Sequence, residues 1–263
     1  LHTVTQDSLQ GFARYPFRPV FLNERSLFLP ELFEPTELEC ELPPSLGPFV
    51  GADITMGALA ANLYECAGNH LLIDFGTNGE ILLKSNGTYY ATATAAGPAF
   101  EGGLLNCGAT ARKGVVSSLS GSDASELEVI GGTRERAIGI SGAAYIDWIA
   151  LQHQKGWLTD LGRFHPNLAP TQMGSDSRRN DKRVYLTDEL FISEVDVAEI
   201  LKAKAAIAAG IQVLLDCADI APESLDKIYI AGGFGYHLNL NHAIAFGLLP
   251  NLPNERYHVL GNG

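Results

Sequence analysis

The chain has 263 residues, with 18 Lys+Arg against 30 Asp+Glu for a formal charge of −12 and a pI near 4.9. This argues against nucleic acid as the main partner, because a phosphate-tracking surface needs an excess of basic side chains. Hydrophobic residues make up 46% and charged residues 18%, a composition that builds a packed core and excludes a disordered chain. Glycine is the outlier at 28 residues, about 11% against roughly 7% in an average protein, so many tight backbone turns are expected.

Residue one is Leu and the first Met is Met56, so the chain reads as a piece of something longer. Its first ten residues lack the basic start and apolar run of a signal peptide, and no stretch is long and apolar enough to span a bilayer. Cys40, Cys66, Cys107 and Cys217 stand far apart with no C-x-x-C pair. No zinc or iron–sulfur pattern is therefore written here, and a reducing, cytoplasmic compartment is the default. The histidines likewise form no H-x-x-x-H spacing, and Gly139-Ile140-Ser141-Gly142 has the wrong spacing for a nucleophile elbow.

Residues 1–50 hold seven of the thirteen prolines, a density that breaks helices and central strands, so this stretch reads as an extended proline-rich arm. A second unit runs over 51–263. Within it, Ile54 to Tyr64 has helical spacing, and Leu71 to Leu83 (LLIDFGTNGEILL) reads as two short apolar strands around a glycine turn. Tyr89 to Ala95 alternates like a strand, and Gly97 to Gly114 is rich in loop residues. Gly139 to Leu151 reads as a turn feeding an amphipathic helix, and 156–183 as an exposed polar insertion. Val184 to Ser193 reads as a hairpin whose last residue caps a helix from Glu194 to about Asp219, with Asp196 as the capping-box acid. Ile228 to Ala231 is a short buried strand that runs into Gly232-Gly233-Phe234-Gly235, and Ala243 to Leu249 is an apolar run. Alternating strands and helices with hairpins favour an α/β layered domain with a mixed sheet.

Chemistry concentrates in three turns. In the first, an apolar strand delivers Asp74 to Gly76, Thr77, Asn78 and Gly79, and a second strand departs after Glu80. Asn-Gly between apolar runs is a hairpin signal that needs no ligand. Alternatively the turn's N–H groups form an anion nest for phosphate oxygens, Thr77 and Asn78 add hydrogen bonds, and Asp74 holds Mg²⁺ through water. The second turn, Ala231-Gly232-Gly233, is either a packing turn or a bare stretch of backbone against which a flat ligand or phosphate can lie. Together the two read as phosphate and adenosine elements of one nucleotide site. In the third, Ala95 to Gly103, Glu101 is either a polar loop residue or an acid that positions a water or a ribose hydroxyl. Glu199 and Lys202, three apart on the long helix, read as an ordinary surface ion pair unless that helix edge faces a nucleotide.

Five motifs in this order carry a family resemblance: Gly51-Ala-Asp53-Ile, Asp74-Phe-Gly-Thr-Asn-Gly-Glu80, Ala96-Gly-Pro-Ala-Phe-Glu-Gly102, the Ala203 to Gly210 helix and Ala231 to His237. The chain, from about Phe12 to Leu249, resembles the C-terminal part of the reductive activators of corrinoid proteins, the activating enzymes of O-demethylases and of the corrinoid iron–sulfur protein. These belong to the actin, sugar-kinase and heat-shock chaperone ATPase superfamily. The resemblance implies a ribonuclease-H-like (actin-like ATPase) mixed sheet flanked by helices, one of the two halves of the full fold. It implies ATP with Mg as ligand, a corrinoid protein returned from Co(II) to Co(I) as partner, and no role for a membrane. Asp74, Glu80 and Glu101 are then the candidate catalytic residues, with Asp74 holding the metal through water. Gly76, Thr77, Asn78, Gly79, Gly97, Gly102, Gly103, Gly232, Gly233, Phe234 and Gly235 are the candidate nucleotide-binding residues, and by analogy with the chaperones Glu199 and Lys202 flank the adenine. Family members also carry an earlier Asp-Ile-Gly-Thr-Thr-Thr loop and a ferredoxin-like domain. Neither pattern occurs in this chain, so a [2Fe–2S] cluster and contact with an electron donor protein are expected only from an absent N-terminal domain. Whether the chain forms a homodimer stays open. Two other readings also stand: a small-molecule kinase of the same superfamily, or a protein-binding module with a vestigial nucleotide fold.

Overall fold

The computed structural model describes residues 22–28, 39–121, 124–165, 173–176 and 181–261. Most of the 1–50 stretch therefore lies outside the described residues, as does part of 156–183. What is described of the former includes an antiparallel ribbon of β1 (Arg25–Phe28) and β2 (Glu39–Leu42).

Helix α1 (Ala52–Ala60) follows and ends earlier than its apolar spacing suggests. Asn62 takes a positive φ of 54°, a left-handed turn that Asn tolerates and a helix cannot continue through. Next come β3 (His70–Asp74), β4 (Glu80–Ser85) and β5 (Thr88–Ala93) as an antiparallel meander. Late in the chain, β12 (Lys227–Ala231) and β13 (Tyr257–Gly261) add in parallel. The result is a five-stranded mixed sheet in the order β13-β12-β3-β4-β5, as expected for this α/β class. Its middle strands β12, β3 and β4 are buried except at Lys227 and Asp74, so their centres read as continuous apolar runs rather than alternating ones.

The strand period of two sends neighbouring residues to opposite layers. Leu72 and Leu82 face Ile54 and Leu63, on the α1 side. Leu71, Ile73, Ile81 and Leu83 belong to the larger core beneath α2 (Gly142–Gln154) and α3 (Glu194–Ala218). Ser193 and Asp196 form the expected capping box of α3: Asp196 N donates to Ser193 Oγ (3.1 Å), and Ser193 N donates to Asp196 Oδ2 (2.9 Å). Asp219 closes the helix in the left-handed conformation.

Of two smaller sheets, one was not legible in the sequence and the other only as a hairpin. β6 (Val115–Ser120), β7 (Glu126–Val129) and β8 (Gly139–Ile140) form one in the order β7-β6-β8, with β8 leading directly into α2. β9 (Met173–Asp176), β10 (Asp181–Tyr185) and β11 (Phe191–Ser193) form the other, so the expected hairpin before α3 gains a third strand from within 156–183. In that same stretch Leu158 and Phe164 are buried in the core. The apolar run after the second glycine turn forms α4 (Leu240–Ala245) and a buried Leu248-Leu249 step.

Candidate functional site

β3 and β12 lie side by side in parallel, with Ala231 in register with Asp74. The two glycine turns therefore leave the sheet at the same carboxyl edge, the place where ligands of open α/β sheets bind. Their contact is close: Gly232 has φ +88°, and a Cβ there would stand 2.8 Å from Asp74 Oδ1 and 3.1 Å from the Phe75 carbonyl oxygen. Only glycine brings the second turn this near to the first.

Asp74 and Glu80 stand directly opposite each other across the β3–β4 ladder, with Thr77 and Asn78 exposed at the tip between them. Glu80 is only 8% exposed. Burial, with the nearby charges of Asp53 and Asp74, pushes its carboxyl up to about 7. Burial and the Asp53 charge raise Asp74 in the same direction. Asp53, at the start of α1, is thus a third carboxylate of this group. Its place is written in Gly51-Ala-Asp53-Ile, but nothing in the sequence says that α1 packs against the β3–β4 turn.

The Thr77 hydroxyl donates to the Glu101 carboxylate (3.1 and 3.2 Å), joining the first turn to the 95–103 turn. Beside them opens a cavity of about 400 Å³ lined on one side by Phe75, Phe100, Glu101, Gly233 and Phe234. The three phenylalanines form one cluster, with Phe100 and Phe234 stacked at 5.0 Å. His237 also lines the cavity, and Ser141, Gly142 and Ala143, the start of α2, form much of the rest of the wall. Ser141 Oγ accepts the Ala144 N–H (3.2 Å), leaving the N–H groups of Gly142 and Ala143 as ordinary first-turn donors. Sequence reasoning missed this wall. Its signal was Ser141-Gly142 ahead of an apolar helix, a plain N-cap pattern.

The candidate residues therefore divide. Asp74, Glu80, Thr77, Glu101, Gly232, Gly233 and Phe234 converge, and Gly76, Asn78 and Gly79 complete the first turn. Gly97, Gly102 and Gly103 lie in the turn that carries Glu101, and Gly235 opens the short 3-10 turn after Phe234. Glu199 and Lys202 form an ion pair of 2.6 Å on α3 with Lys202 largely exposed, and neither lines the cavity.

An oxygen-rich group of carboxylates suits a hard cation such as Mg²⁺. Among the described residues no three His, Cys, Asp or Glu side chains stand close enough to hold a metal by themselves. These carboxylates could therefore hold such a cation only together with its waters or other ligands. Among the described residues, too, no helix is long and apolar enough to cross a membrane.

Residues 68–263 match a family model described as the C-terminal domain of RACo, the ASKHA domain. The corrinoid activation enzyme RamQ of Eubacterium limosum is 32% identical over 84% of this chain and 39% of its own length. The [Co(II) methylated amine-specific corrinoid protein] reductase of Methanosarcina barkeri is 25% identical over 80% of this chain and 41% of its own. Among solved structures, a reductive activator for corrinoid, iron-sulfur protein superposes with a TM-score of 0.86 at 29% identity, over 96% of this chain and 42% of that one. The chain spans about two fifths of the length of the relatives it matches.

Proposed function

This chain belongs to the family of the C-terminal ASKHA domain of RACo, and we propose that it is the nucleotide-binding part of an ATP-dependent activator that returns an inactive Co(II) corrinoid protein to Co(I). The observation that carries the reading is the meeting of the Asp74 turn and the Gly232 turn at one sheet edge, beside a cavity they share with Glu101.

Bound Mg-ATP would supply the phosphoryl chemistry, and its Mg²⁺ the positive charge that would offset the crowded carboxylates. The chain's own residues hold it. Asp74 takes the metal's waters, and its raised pKa marks a carboxylate that gains from a cation nearby. Gly76 to Gly79 offer N–H groups to phosphate oxygens, helped by the Thr77 hydroxyl and the Asn78 amide. Glu101 orients that hydroxyl through the bond already formed. Glu80, buried beside Asp74, keeps its proton up to about pH 7 and so limits the negative charge near the turn. Gly232 and Gly233 admit the nucleoside to the backbone, Phe234 and Phe100 back it, and Gly97, Gly102, Gly103 and Gly235 shape the surrounding turns.

Reduction of Co(II) to Co(I) adds one electron, which in this reading comes from a [2Fe–2S] domain elsewhere in the polypeptide, loaded by a donor protein. ATP assists only through states that differ in affinity for the corrinoid partner, which makes its role one of linkage. The charge of −12 suits a protein partner with basic patches, and the free thiols Cys66, Cys107 and Cys217 suit a reducing cytoplasm. The test uses the full-length protein with its Co(II) corrinoid partner and a low-potential reductant. ATP hydrolysis that rises with the partner and is lost in Asp74→Ala is expected; unchanged hydrolysis in that variant overturns the site.

A further inference from the structure

On the far side of the cavity wall, Asp147 is a carboxylate only 1% exposed. Its Oδ2 accepts the Leu119 N–H of β6 (3.0 Å), and its Oδ1 lies 2.7 Å from His242 Nδ1. We propose that the Asp147–His242 pair is a positioning device: it holds the first turn of α2 and the Gly232–Gly233 turn at a fixed separation, and so sets the width of the cavity between them. The proposal rests on the nucleotide reading above for its consequence, though not for its geometry.

Both ends of the pair lead to the cavity. Asp147 lies on α2, six residues after the Ser141 cap, and Ser141, Gly142 and Ala143 of that helix line the opening. Leu119 lies on β6, whose partner β8 delivers the chain to Ser141, so the same carboxylate grips the strand layer beneath the helix start. His242 lies on α4, joined to the glycine turn by a short run of local bonds. Gly235 N donates to Gly232 O, His237 N to Phe234 O and Leu238 N to Gly235 O. Asn239 then caps α4 by accepting the His242 N–H (3.2 Å). A shift of α4 therefore has little slack before it reaches Gly233, Phe234 and His237.

Cohesion alone does not call for such a pair. Helix α2 is already buried from Gly142 to Ala150, and apolar side chains would hold the two helices together as well as a buried polar pair does. A charged hydrogen bond adds direction and distance, so it selects one arrangement of two elements that apolar packing would let slide.

The experiment compares full-length wild type with His242→Ala, His242→Asn and a core control, Leu214→Ala on α3, by hydrogen exchange of peptides covering 142–146 and 232–238 and by Mg-ATP affinity. His242→Ala is expected to speed exchange in both segments about tenfold and to weaken Mg-ATP binding about tenfold. His242→Asn, whose amide offers a donor near the Nδ1 position, is expected to stay within about threefold of wild type. Leu214→Ala is expected to lower thermal stability without singling out these segments. The proposal is overturned if His242→Ala leaves the 232–238 segment as protected as in wild type, or if Leu214→Ala speeds the same two segments equally. It is overturned equally if wild type binds ATP and His242→Ala binds it unchanged. Should wild type bind no ATP while the exchange pattern holds, the tie stands and the nucleotide reading fails.

Discussion

Glu80→Gln is the sharpest physical test of the carboxylate group. The Glu80 carboxyl is raised from 4.5 to about 7, first by burial and then by the charges of Asp53 and Asp74. Its folded-state pKa lies above its unfolded one, so the folded chain binds this proton more tightly. The stability it contributes is fully present below 4.5 and is lost as pH rises through about 7. The whole difference corresponds to about 3 kcal/mol, most of which falls between about pH 5 and about pH 8. Glutamine keeps the size and stays neutral, so its folded state lacks this dependence. In metal-free buffer, wild type minus Glu80→Gln stability, read from urea unfolding at the two pH values, should fall by that amount on going to the higher pH. In a chain of this size the fall appears as a relative Tm loss of roughly 5 °C. A difference that does not change with pH, or one that grows toward alkaline pH, would refute the picture of a buried carboxyl crowded by like charges.

Gly232→Ala places a Cβ 2.8 Å from Asp74 Oδ1 at a φ of +88°, so a loss of roughly 1–3 kcal/mol is expected from thermal melts. ATP binding should be lost along with it. Ser193→Ala removes the capping-box acceptor of α3, and denaturant unfolding is expected to show a loss of about 1 kcal/mol with nucleotide affinity unchanged. Lys202→Ala breaks an ion pair whose lysine is mostly exposed and should cost less than about 0.5 kcal/mol. A tenfold loss of ATP affinity in that variant would instead bring α3 to the adenine.

What the sequence made legible was local. The β3–β4 hairpin announced itself through two apolar runs around Gly-Thr-Asn-Gly, and α3 through Ser193 and Asp196, because each signal is complete within a few residues. β6 escaped notice because Ser117 is buried in the midst of its strand, where apolar patterning gives no cue. The rest of the site depends on packing across long stretches of chain. Thr77 meets Glu101, and Asp147 meets His242. Asp53 acts on Asp74 and Glu80 across the α1–sheet contact. Such pairings follow from the order of strands in the sheet, and no spacing along the chain encodes them. The family resemblance identified the turns that converge, while the α2 wall of the cavity emerged only from the fold.

The most direct measurement is calorimetric titration of Mg-ATP into the full-length protein and its Asp74→Ala variant, whose side chain sits at the meeting point of the two turns. Saturable binding in the wild type and none in the variant is expected. Equal binding by both would contradict the assignment of the nucleotide to this sheet edge.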